Sequence, residues 1–335
     1  MATTLWDTTG TEIVNALLAE RRTAGALASG LALSLVVVVD EKQVQEAETA
    51  ATIAAAAHPC RLLIVVRRSV DADNRLDAEV QVGGRLGPTE AVVMRMYGRL
   101  GLHAESVVLP LLAPDAPVVT WWHGAPPDEI AADALGVLAN RRITDSARAA
   151  DPLAALRRRG EDYAPGDTDL AWTRTTPWRA LLASALDAVD AKPSGATVGA
   201  EAGNPSAALL CGWLDSRLGV RAEVDDTAGP GITSAAIDAA RTDQSPYAVS
   251  ISRPDGRLAT LRRGDEDERQ LPLPRRELGD LLAEELRRMD PDMVYAEALA
   301  AATGVTGITE RSPVRTHVWR DPAWAGAAST SGAGS

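Results

Sequence analysis

The chain has 335 residues, 46% hydrophobic and 24% charged, with a formal net charge of −12. That is globular composition, with room for two domains of about 100–200 residues each and for large cores that need no staples. Global acidity opposes a phosphate backbone and points away from nucleic acid. The longest apolar run, Leu31 to Val39, falls far short of the roughly 20 residues of a membrane span.

The elements follow in chain order. Thr9 to Glu20 predicts a helix with Ile13, Val14, Leu17 and Leu18 on one face. Leu31 to Val39 predicts a buried strand, and Glu41 to Ala57 an alanine-rich helix stopped by His58-Pro59. "RLLIVV" predicts a second buried strand, "RLDAEVQVGGR" a strand running into a turn at Gly83-Gly84, and "EAVVMRMYG" a further strand. "HAESVVLPLL" and "DEIAADALGVLA" predict helices, with the strand "APVVTWWHG" between them and "RRITDS" returning to the sheet. A short helix over 152–159 and the polar loop "GEDYAPGDTD" close an N-terminal α/β domain over 1–160.

Residues 161–176 predict a linker, and 177–324 a C-terminal α/β domain. That second domain opens with a helix over 177–189, for which Thr176 is the expected N-cap and Pro177 the first helical residue. "ATVGAE" predicts a strand, and "PSAALLCGWLDSRLG" a helix with Gly219 at its C-cap. "VRAEVDD", "ITSAAIDAA", "YAVSISRP" and "RLATLRRG" predict four strands, the last two joined by a Pro-Asp-Gly hairpin. Helices over 275–289 and 291–302 follow, and the tail 325–335 is too small and polar to pack. The expected fold is therefore mixed α/β, two domains with mixed sheets flanked by helices. The similar element strings of the halves open the reading of a remote duplication.

Catalytic and cofactor signals are sparse. The N-terminus lacks a basic segment followed by an apolar one, so no secretory signal is expected. Cys60 and Cys211 show no metal-ligand spacing, and a reducing, cytoplasmic setting fits them. The Gly-rich stretches 83–87 and 195–203 lack the spacing of a nucleotide loop and read as ordinary loops. The four histidines are unpaired along the chain, and His58 suits a helix C-terminus. Ser146 follows Asp145 without a nucleophile elbow, so a local hydrogen bond is expected of it. No cofactor and no metal is expected.

The stretch "DLAWTRTTPWRALL" places Trp172, Arg174, Trp178 and Arg179 within fourteen residues of a chain that is 4% aromatic and has no phenylalanine. Two accounts stand side by side. The indoles clasp the linker onto the helix start, or they form an anchor surface for another protein, since Trp and Arg are enriched at binding hot spots. Trp121-Trp122 tilts toward the second, because adjacent strand residues face opposite ways.

"HPCRLLIVVRR", "VVTWWHG", "NRRITDSA", "DLAWTRTTPWRALL" and "AALLCGWLDSRLG" occur in an order and spacing that resemble the glucose-6-phosphate dehydrogenase assembly protein family (OpcA), from about residue 5 to 320. The resemblance implies a non-enzymatic accessory protein that binds glucose-6-phosphate dehydrogenase and promotes assembly or allosteric activation of its active oligomer, in the oxidative pentose phosphate pathway. Carried over by position, the motifs give His58, Pro59 and Arg61; Trp121, Trp122 and Gly124; Arg142, Asp145 and Ser146; Trp172, Arg174, Trp178 and Arg179; and Gly212, Trp213 and Leu214. From these, with His123, the expected partner-binding set is Trp121, Trp122, His123, Arg142, Asp145, Trp172, Arg174, Trp178 and Arg179. Photosynthetic members are tied to thioredoxin control through cysteines, of which this chain has only two. The alternative is a sensor of sugar phosphate or NADP, with a weak sugar-phosphate ligand held near Arg141-Arg142 and 195–203. A hydrolase using His123 or Ser146 stands third.

Overall fold

The computed structural model describes residues 2–24, 30–83, 90–187, 190–313 and 316. Its first half comprises β1 (Thr3–Leu5), α1 (Gly10–Ala24), β2 (Leu33–Val39), α2 (Val44–Ala57), β3 (Cys60–Arg67), β4 (Arg75–Val82) and β5 (Glu90–Tyr97). It continues with α3 (Ala104–Val108), β6 (Val118–Trp122), α4 (Ala134–Val137), β7 (Arg141–Thr144), α5 (Pro152–Asp162), β8 (Asp167–Asp169) and α6 (Leu170–Thr173). All seven residues of β2 are buried, as a strand covered on both faces requires.

The strands order as β1-β4-β5-β3-β2-β6-β7-β8. Every pair from β5 through β8 is parallel, and β4 and β1 add antiparallel at one edge. Numbered along the chain, the six parallel strands lie in the order 3-2-1-4-5-6. That is the doubly wound Rossmann arrangement, in which ligands bind outside the carboxyl ends of the strands where the order reverses. Here that point lies between β2 and β6.

The second half comprises α7 (Thr176–Asp187), β9 (Ala191–Ala200), α8 (Pro205–Leu218), β10 (Ala222–Asp226), β11 (Ile232–Arg241), β12 (Pro246–Ser252), β13 (Leu258–Arg263), β14 (Arg269–Pro272), α9 (Leu278–Glu285) and α10 (Met293–Thr303). Its sheet runs β10-β9-β11-β12-β13-β14, parallel only between β9 and β10. Residues of α7 and α8 share its core. Gly219 adopts the left-handed conformation at φ 64° as the α8 C-cap. In the Pro-Asp-Gly hairpin the Asp255 carboxylate accepts from the Arg257 and Leu258 amides, both at 2.9 Å.

Several expectations change. One sheet is largely parallel and the other largely antiparallel, so the halves are not a duplication. The expected linker is structure: β8 pairs with β7 as an edge strand of the first sheet. "GEDYAPGDTD" hid it because three residues of polar sequence carry no periodicity. The strand expected at "ATVGAE" forms within β9, so residues 195–200 are not the loop that the Gly-rich stretch suggested. Helix α7 starts at Thr176, so Thr175 holds the capping position, its carbonyl accepting from the Arg179 amide at 2.9 Å. The short strands β1 and β14 were not foreseen. His317, Gly84 to Gly87 and the tail 325–335 lie outside the described residues.

Helix α9 returns to the first sheet. Leu281, Leu282 and Leu286 join the core formed by one face of β2, β3 and β6 with the alanines of α2. The other face packs on Ile13 and Leu17 of α1 and on Val107 and Val108 of α3. Helix α10 packs with α5, α6 and α8 in a separate cluster.

Candidate functional site

The four signature tryptophans are internal. Trp121 is 0% exposed, and Trp122, Trp172 and Trp178 are each 1% exposed. Adjacent on β6, Trp121 and Trp122 do point to opposite faces, but both faces are covered: Trp121 joins the α2/α9 core and Trp122 the α1/α3 core. Trp172 donates from Nε1 to Asp292 Oδ2 at 2.9 Å and lies under the Arg179 guanidinium, 3.6 Å from its ring centre. Trp178 sits in the core of the second sheet, with the Arg253 guanidinium 5.0 Å from its ring. The expected aromatic anchor surface is therefore a clasp, because the segment that carries it is woven into both cores rather than strung between them.

The charged signature residues complete this joint. Arg141 donates from Nε to Glu285 Oε2 at 3.0 Å, and the Thr173 hydroxyl donates to Glu285 Oε1 at 2.6 Å. The Thr176 hydroxyl donates to Glu284 at 2.7 Å. Arg142, fully buried, pairs with Asp167 and donates to the carbonyls of Ala139, Ala164 and Pro165. Arg174 donates from both terminal nitrogens to Asp145, each at 2.7 Å, and its side chain keeps 33% exposure. Arg179 donates to the Thr175 and Thr176 hydroxyls, and burial lowers its pKa to about 10.

The other singled-out residues are structural too. The His58 ring bonds the Ala283 carbonyl at 3.0 Å, tying the end of α2 to α9. Ser146 donates its hydroxyl and its amide to Asp169, a fully buried carboxyl whose pKa burial and the Asp145 charge raise. A Cβ on Gly212 would stand 2.2 Å from the Ala298 carbonyl, so that glycine permits the close crossing of α8 and α10. Cys60 and Cys211 are buried free thiols.

What does open to solvent is a cleft of about 610 Å³ at the carboxyl ends of β2, β6 and β7, at the switch point. Asp40, Gln43, His123, Gly124, Asp145, Ser146, Arg148 and Arg159 are among its lining. It thus gathers His123 and Asp145 of the expected set, but none of the tryptophans. The His123 amide donates to the Val38 carbonyl at 3.0 Å, and its ring stands edge-on to Trp121 with centroids 4.9 Å apart. Its Nε2 lies 3.2 Å from Glu46, which Arg148 holds through two bonds of 2.9 and 3.0 Å. Burial, then the Arg148 charge, keeps the imidazole below its ordinary pKa and so neutral.

This fold implies a dinucleotide in such a crevice, and the residues do not fit one. The turn after the first parallel strand needs glycines, so that the backbone can approach a pyrophosphate at a helix start. Here it reads "VDEKQV", without glycine, and places the Asp40 and Glu41 carboxylates there. Asp40, Gln43 and Arg148 escaped the sequence reading. The sequence showed a buried strand running into a helix with acids at the turn, but only the strand order makes that turn the place where a phosphate cradle would sit.

A model of the glucose-6-phosphate dehydrogenase subunit N-terminal domain matches residues 51–161, and a model of the corresponding C-terminal domain matches residues 165–299. A search of curated proteins found no match. Among solved structures, a 3-ketoreductase from Actinomadura kijaniata is similar at 13% identity, over 86% of this chain and 99% of that one, with a TM-score of 0.39. An NAD binding oxidoreductase from Klebsiella pneumoniae is similar at 10% identity, over 87% and 100%, with a TM-score of 0.39. A dehydrogenase from Clostridium difficile is similar at 6% identity, over 83% and 99%, with a TM-score of 0.41. With both domain models matched in order across its two halves, the chain belongs to the glucose-6-phosphate dehydrogenase assembly (OpcA) family.

Proposed function

We propose that this chain is a non-enzymatic accessory subunit that binds glucose-6-phosphate dehydrogenase and favours its active oligomer. The observation that carries the reading is the paired match of both subunit domains along one chain. The acidic turn at Asp40 and Glu41 supports it, since a dehydrogenase of this topology would need a phosphate cradle there. Activation then arises from tighter binding to the active state of the enzyme than to the inactive one.

Within this reading the nine signature residues serve the partner in two ways. Trp121, Trp122, Trp172, Trp178 and Arg142 hold the shape of the subunit from inside. His123 and Asp145, themselves buried, line the cleft, while Arg174 and Arg179 are partly exposed, and the contact is proposed along the rim where Arg174 emerges. The test is native mass of the full chain mixed with the dehydrogenase from the same organism, with an activity assay on the same mixture. A heavier complex with raised activity is expected. No complex at micromolar concentration would overturn the proposal, and full binding by the folded Arg174→Ala variant would move the contact elsewhere.

A further inference from the structure

The switch-point cleft carries polar groups that the fold leaves without partners, and their chemistry is mixed. His123 is 1% exposed, and its Nδ1 has no hydrogen-bond partner. A carboxylate can only accept, so Nε2 carries the proton toward Glu46, and Nδ1 of the neutral ring is left a bare acceptor. Gln43 Oε1 is likewise unpartnered. Both it and Asp40 Oδ2 converge on Gly124, at 3.6 and 3.4 Å from where a Cβ there would stand. Against these acceptors stand donors: the amide nitrogen of the same Gln43 side chain, and Nη1 of Arg159, a residue 5% exposed, which makes no hydrogen bond and lies 3.7 Å from Asp162.

The cations around the cleft are already engaged. Arg148 is bidentate on Glu46, and Arg158 is paired with Asp128. Arg159 spends its Nη2 on the carbonyls of Pro127 and Asp128. A phosphate, which only accepts, would meet the Asp40 carboxylate and two further acceptors, His123 Nδ1 and Gln43 Oε1. An ammonium, which only donates, would leave the Arg159 donor unmet. A hydroxyl group donates and accepts, and so satisfies both kinds. Satisfying buried polar groups is what such a ligand gains on entry. The volume of about 610 Å³ lies in the ordinary range for small-molecule sites, roughly 300–1,000 Å³.

We propose that this cleft binds a neutral polyhydroxy compound of sugar size, in preference to its phosphate ester or to a dinucleotide. The proposal stands apart from the partner reading, since it concerns the isolated chain. The experiment is calorimetric titration of the full chain with glucose, sorbitol and inositol, and separately with glucose 6-phosphate and NADP. The ring nitrogens of His123 are followed by long-range nitrogen–proton NMR in the same samples. At least one neutral polyol is expected to bind and to move the Nδ1 signal, with glucose 6-phosphate weaker by about tenfold than glucose. Asp40→Ala, an exposed position outside both cores, should weaken the polyol by about tenfold as well. Tighter binding of glucose 6-phosphate or NADP, no polyol binding at millimolar concentration, or polyol binding that leaves Nδ1 unmoved would each overturn it.

Discussion

Replacing Glu285 with alanine probes the joint between the halves. Glu285 is 5% exposed, and its partners Arg141 and Thr173 are 3% and 0% exposed. The substitution leaves the Arg141 guanidinium buried with the Asp290 carbonyl, at 3.1 Å, as its remaining partner. Removing one partner of a buried ion pair costs about 3–5 kcal/mol, because the other charge stays desolvated. The orphaned Thr173 hydroxyl adds about 1 kcal/mol. The total is a large part of the roughly 5–15 kcal/mol that holds a typical domain. Urea unfolding followed by tryptophan fluorescence reads it, since Trp172 and Trp178 flank the joint. Glu285→Gln keeps an acceptor oxygen and should lose about half as much. The double variant Arg141→Met with Glu285→Leu should fall close to the native chain, as apolar replacement of both partners removes the desolvation cost. A loss below about 1 kcal/mol for the alanine variant would refute this account, as would a double variant no more stable than the single.

Two further predictions use titration. Burial raises the Asp162 carboxyl from 3.8 to about 7, so its protonated form is favoured on folding. That contribution is complete below the unfolded value and is lost as pH rises through about 7, with an upper limit of about 4 kcal/mol. Asp162→Asn should flatten this limb of the stability–pH curve in urea titrations at several pH values, and an unchanged slope would count against it. Burial also pushes the Cys60 and Cys211 thiols up to about 12. Both should therefore resist a chromogenic disulfide reagent in the native chain and react fully in denaturant. Rapid native labelling of either would contradict their placement.

Long periodic or continuously apolar segments were legible in the sequence. Leu33–Val39, Val44–Ala57 and Pro205–Leu218 follow from burial pattern, alanine content and capping residues, and the four strands after Gly219 from alternation and turn chemistry. What escaped was set by tertiary pairing. β8 is Asp-Thr-Asp, a strand only because β7 lies beside it and because Arg142 and Ser146 take up its carboxylates. The tryptophans illustrate the same limit. Composition marked Trp121, Trp122, Trp172 and Trp178 as costly residues with a purpose, but a single chain of letters does not say which strand faces are covered twice. The parallel strand order, and with it the place of the cleft, depends on contacts between segments far apart in sequence. The acidic turn at Asp40 could have been recognised as a missing phosphate cradle only once that order was known.

The return of α9 to the first sheet bears on how the chain comes off the ribosome. Domains ordinarily fold in turn as they emerge, N-terminal first. Here the sheet face carrying Val37, Ile64 and Trp121 stays partly uncovered until Leu281, Leu282 and Leu286 arrive. By then the entire second sheet has been synthesised. The nascent first half therefore waits with apolar surface exposed while more than a hundred residues are added, and a chain cut short before α9 would be left with a sticky face rather than a smaller working unit.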